Sequence, residues 1–96
     1  MIDLTFEKYT EAKFTDLKLV ETYELQLWMH HVVAFEGDNI PSDLVDPEAL
    51  LITNPEGEVL QVILREEGCD SPLFQFTENE KEQLIEWFTE SVKKAR

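Results

Sequence analysis

The sequence predicts an α+β domain: an antiparallel sheet of four to six strands with one C-terminal amphipathic helix packed on one face. Three observations carry this. Apolar and polar residues alternate over Leu17–Phe35. A turn signature, Asn54-Pro55-Glu56-Gly57, joins two apolar runs. Thr77-Glu78-Asn79-Glu80 opens a segment with helical apolar spacing.

Ile2, Leu4 and Phe6 alternate with polar residues, which predicts a strand over 2–7. Thr10 to Asp16 reads as either a short helical turn or a second strand. From residue 16 to 36 the pattern is period two. Placed at helical steps of about 100°, Leu17, Leu19, Leu25, Leu27, Met29 and Val33 scatter around the circle instead of forming a stripe. That stretch exceeds the usual strand length of about 5–6 residues, so a bend or tight turn is expected near Val20–Thr22. Trp28, Val32 and Ala34 make the second face apolar too, which predicts a strand buried on both sides, with Trp28 in the core.

Gly37 to Asp43 is loop chemistry, which continues through Asp46-Pro47 to Leu50. Strands follow at 50–53 and 58–65, around the Asn-Pro-Glu-Gly turn. Glu66 to Pro72 reads as a loop and 73–76 as a short strand. The helix spans 78–94. Thr77 caps it, Glu80 completes the capping box, and Leu84, Ile85, Phe88 and Val92 form its core stripe. Lys93, Lys94 and Arg96 sit where the helix dipole favours cations.

At 96 residues the chain is one domain, spanning 1–96. The one cysteine, Cys69, cannot form an internal disulfide, so a reducing cytoplasm is expected. The first residues lack the basic cluster and apolar run of a signal peptide. No stretch approaches the roughly 20 apolar residues of a membrane span. Net charge is −13, and from residue 19 to 80 there are fourteen acids against one base, Arg65. Such a chain is repelled by nucleic acid and by anionic membranes. Basic protein surfaces attract it at long range.

No residue pattern points to catalysis. His30 and His31 are adjacent on a strand and so face opposite ways, which keeps them from one metal. Glu66, Glu67 and Asp70 around Cys69 are the reverse of the electropositive setting that activates a thiol. With 21 acids, no carboxylate pair stands out. Phosphate-binding glycine loops and a Gly-x-Ser-x-Gly element are absent from the sequence. The expectation is a protein that is not an enzyme, with no cofactor and no metal.

The sharpest feature is an acidic line. Glu78, Glu82, Glu86 and Glu90 recur every four residues along the helix, about 6 Å apart by helical rise. Like charges at this spacing cost a few tenths of a kcal/mol per pair, so stability alone does not select them. With Trp87 as an anchor, and with Asp38, Asp43, Asp46, Glu48, Glu66, Glu67 and Asp70 from the loops, they make up the predicted partner-binding set. The alternative is a solvated helix face in a protein that is simply acidic.

Two short stretches are similar to nuclease inhibitors. Tyr9-Thr10-Glu11-Ala12-Lys13-Phe14 is similar to the first helix of colicin-type DNase immunity proteins, and Ser42-Asp43-Leu44 to the start of their recognition motif. Val45 and Asp46 follow where that family has paired tyrosines. Val59-Leu60-Gln61-Val62 and Glu67-Gly68-Cys69-Asp70 resemble a stretch of the barstar family, helix then strand there and hairpin arm then loop here. Both short matches are set aside as chance. The second half looks like the end of type III secretion chaperones, which implies a small acidic cytoplasmic dimer, although the N-terminal helix of that family is missing.

The expected function is an acidic inhibitor that blocks the basic site of a nucleic-acid-handling protein, as immunity, anti-restriction and anti-CRISPR proteins do, including by mimicry of nucleic acid. The alternative is a small acidic secretion-type chaperone or adaptor that forms a homodimer and binds a partner peptide.

Overall fold

The structure is a computed structural model that describes residues 1–93. It is an α+β fold with two antiparallel sheets and one C-terminal helix. The larger sheet is a five-stranded meander of β3 (Lys13–Leu25), β4 (Trp28–Asp38), β5 (Pro47–Thr53), β6 (Val59–Glu66) and β7 (Cys69–Asp70), in that spatial order. The smaller sheet pairs β1 (Ile2–Asp3) with β2 (Lys8–Tyr9) on one side and with β8 (Phe74–Gln75) on the other. Helix α1 (Glu78–Trp87) continues into a π-helical turn, Phe88–Lys93. The predicted helix end at 94, with Lys94 and Arg96, lies outside the described residues.

The predicted strand over 2–7 is cut short. The Asp3 carboxylate accepts the backbone N–H groups of Thr5 (2.9 Å) and Phe6 (3.3 Å). This local side-chain turn competes with extended backbone and reverses the chain at residues 4–7. Leu4 and Phe6 are left exposed.

The long period-two segment is a hairpin whose turn is Gln26–Leu27, not Val20–Thr22. Both turn residues have positive φ, 53° and 76°, the geometry of a tight hairpin turn. Val20 carries a β-bulge instead. The extra residue shifts the alternation, so Leu17 and Leu19 face inward before it and Thr22 after it. Trp28 stands beside the turn and is 42% exposed, so it is not a core residue.

The Asn54–Gly57 turn joins β5 to β6 as expected. Asn54 O accepts the Gly57 N–H at 2.9 Å, and Gly57 takes φ 87°. β5 begins earlier than predicted, at Pro47. The predicted loop after residue 66 contains another hairpin, with Glu67 and Gly68 both at positive φ between β6 and β7.

The core lies between the meander and the helix. Val33, Phe35, Ala49, Leu51 and Leu64 come from the sheet, Phe74 and Phe76 from the approach to the helix, and Leu84, Phe88 and Val92 from the predicted stripe. Phe14, Phe35 and Phe76 meet edge-on, with ring centroids 5.1 to 6.1 Å apart. The sheet's other face carries no second layer among the described residues. Val32 lies across from Leu50, and Leu50 from Ile63. Val32 and Leu50 are buried yet stand outside the core cluster.

Candidate functional site

The site is built where helix α1 meets the edge of the meander. Thr77 caps the helix: its hydroxyl accepts the Glu80 N–H at 3.2 Å, and the Glu80 carboxylate accepts the Thr77 N–H at 2.9 Å. That is the predicted capping box. The same carboxylate reaches further. Its second oxygen accepts the Ala12 N–H at 2.7 Å and pairs with the α-amine of Met1. Glu80 is fully buried with both oxygens bonded, which is what a charge inside a protein requires.

One turn on, Gln83 docks on the chain entering β3. Its amide oxygen accepts the Phe14 N–H at 2.9 Å, and its amide nitrogen donates to Ala12 O at 2.8 Å. The amide thus offers the strand edge the donor and acceptor that a neighbouring strand would offer. Asn79 holds it in place, accepting a hydrogen bond from Gln83 Nε2 at 2.9 Å.

Beyond Phe14 this contact opens into a groove. Its walls are Phe14, Asp16 and Leu17 from β3, and Glu86, Trp87 and Glu90 from the helix and π turn. Phe14, Leu17 and Trp87 are half-buried and pack against the core, giving the groove an apolar floor. Asp16, Glu86 and Glu90 are exposed and give it an anionic rim.

Of the predicted partner-binding set, Glu86, Trp87 and Glu90 meet in this groove. Glu78 and Glu82 are exposed on the same helix, and Glu78 pairs with Lys81 at 3.6 Å. The loop acids are elsewhere. Glu48, Arg65 and Asp70 align across three strands on the face away from the helix. Glu66 holds its own hairpin together, accepting the Val45 N–H at 2.9 Å and the Ser71 hydroxyl at 2.7 Å. Asp46 O accepts the Glu67 N–H. Asp38 is across from Lys13 at the far end of β4, and Asp43 lies beside Lys8 and Tyr9. Asp16 and Gln83 belong to the groove but were not predicted, because nothing local in the sequence marks them.

His30 and His31 face opposite ways, as expected, but both are buried. His30 stacks on Tyr23, centroids 5.0 Å apart, on the outer face. His31 lies on the inner face within 3.1 Å of the Thr22 and Thr53 hydroxyls and 4.7 Å from the Phe88 ring. Cys69 is exposed. Among the described residues no group of three or more His, Cys, Asp or Glu is arranged to hold a metal, and no helix is long and apolar enough to cross a membrane. Compared with protein-family models, with characterised proteins and with solved structures, the chain matches none.

Proposed function

We propose that this protein is an acidic binding protein that blocks the basic site of a nucleic-acid-handling protein, in the manner of immunity, anti-restriction or anti-CRISPR inhibitors. The supporting observation is the groove lined by Asp16, Glu86, Trp87 and Glu90, with Glu82 exposed one turn earlier on the helix. A net charge of −13 steers a basic surface toward it. Trp87 and the apolar floor then supply short-range contact of the kind that dominates binding energy. The loop acids on the other face strengthen steering without touching the same partner patch.

The test is affinity capture from the source cell or its phage-infected lysate across a salt series, with wild type beside Glu82→Lys/Glu86→Lys. The expected capture is a basic nuclease or nucleic-acid-binding complex that salt and charge reversal both release. Capture indifferent to both overturns the reading.

A second reading rests on a different observation. Val20, Leu25, Leu27 and Trp28 are exposed around the outer face of the meander, where Val32, Leu50 and Ile63 have no covering layer. This favours an adaptor that dimerises through the sheet. Sedimentation separates the two: the inhibitor reading expects a monomer, the adaptor reading a salt-insensitive dimer.

A further inference from the structure

We propose that the groove is a strand-addition site: an extended, basic segment of the partner pairs with the free edge of β3 at Asp16–Leu19. The inference rests on the acidic-binding reading above and assigns its mode of contact.

Three observations carry it. First, β3 is thirteen residues long and is the outer strand of the meander, with β4 its only neighbour among the described residues. Past Phe14, its backbone has no described hydrogen-bond partner on the side away from β4. An edge strand in this state is a template for another chain. Second, the edge is already half-built for a guest. The Gln83 amide pairs with Ala12 O and Phe14 N–H as a strand would, and stops at the residue where the groove begins. A guest strand takes up the same edge past the bulge that follows Phe14. Third, the groove beside that edge has a definite chemistry. Phe14, Leu17 and Trp87 suit apolar side chains, and the charged residues lining it are Asp16, Glu86 and Glu90, with no base among them. A strand presents alternate side chains to one face. The matching guest therefore carries Lys or Arg at the alternate positions toward the helix, their aliphatic stems on the apolar floor and their charges at the rim.

The edge also selects against a second copy of this chain. Bulges fall between Phe14 and Asp16 and between Leu19 and Glu21, and Lys18 lies in the window between them. Bulges and an edge lysine confine any added strand to the short window between them. Two chains of charge −13 repel as well. The four-residue window between the bulges stays regular, and its first two residues, Asp16 and Leu17, line the groove.

The experiment uses the full chain and a synthetic nine-residue peptide of alternating Lys and Val. Two further peptides carry N-methyl groups on alternate amides, one in each phase, which removes strand donors and keeps the charge. Binding is read by Trp87 fluorescence in a Trp28→Phe background and by hydrogen exchange of the β3 amides. The expected result is saturable binding of the parent peptide, slowed exchange within Asp16–Leu19, and at least tenfold weaker binding for one methylated phase. Equal binding of all three peptides overturns strand addition and leaves the acidic docking reading standing. No binding of the parent peptide also overturns it, while lysate capture by the same protein still tests the broader reading.

Discussion

The α-amine of Met1 and the carboxylate of Glu80 form an ion pair with both side chains fully buried. Seventy-nine positions separate them in the chain. The pair joins the N-terminal end of the fold to the first turn of the helix, and the same carboxylate holds Ala12 at the start of β3. Removing its charge strands the amine in the interior. Glu80→Gln is expected to cost about 3–5 kcal/mol, the usual loss when one member of a buried pair is removed. Urea unfolding of wild type and variant checks this. A change below about 1 kcal/mol means that solvent reaches the pair.

Gly37 has no room for a side chain. It lies opposite Phe14 across the β3–β4 ladder, and an added Cβ falls 2.0 Å from Lys13 O and 2.8 Å from Phe14 Cα. Both obstacles are backbone, so β3 itself must move. Gly37→Ala is expected to destabilise by about 3 kcal/mol, the upper part of the overpacking range. It also displaces Phe14 at the floor of the groove. A thermal melt gives the first effect, and Trp87 fluorescence reports the second.

The Gln26–Leu27 turn runs in the opposite direction. Leu27 holds φ 76° while 76% exposed, so a left-handed residue with a side chain is retained with little packing in return. Asn-Gly is the pair that favours such a turn. Gln26→Asn/Leu27→Gly is expected to stabilise by about 1 kcal/mol, raising the melting midpoint by roughly 4–8 °C for a domain of this size. An unchanged or lower midpoint means that Leu27 packs on something in solution.

Stability and binding should separate on the acidic line. Glu82→Lys/Glu86→Lys turns the 78–82 and 86–90 pairs from like to opposite charge and leaves the 82–86 pair like, a net gain of a few tenths of a kcal/mol. The double variant is therefore expected to unfold no more easily than wild type. It should nonetheless associate with its captured partner at least tenfold more slowly at low salt. Equal association rates leave the acids as a solvated face only.

What the sequence disclosed was local. The capping box was legible because Thr77 and Glu80 are three residues apart, and the Asn54–Gly57 turn because its residue types demand it. The core stripe followed from spacing at Leu84, Phe88 and Val92, but not at Ile85, which is half-buried and outside the core cluster. The turn was expected near Val20–Thr22 on strand length alone, and length does not say where a hairpin turns: it turns at Gln26–Leu27, and Val20 carries a bulge. Trp28 was misplaced because an apolar residue on a strand says nothing about whether a layer covers that face. The second use of Glu80 and the docking of Gln83 were invisible, since their partners are 68 to 79 residues away. The acids were visible as a crowd, but only folding sorts them into a groove, a hairpin brace and an opposite face.

The small sheet has a consequence for how the protein is made. β1 precedes the meander in the chain, yet it lies between β2 and β8, and β8 is Phe74–Gln75, after the meander. On the ribosome the five strands of the meander are therefore available before β1 can complete its ladder. β1 waits for its second neighbour until residues 74–75 have emerged. Closure is then a late event governed by long-range pairing, the slow kind in small domains. A chain truncated after Asp70 should hold its hairpins but leave Met1, Phe14 and Phe35 without the aromatic and helical cover that seals them.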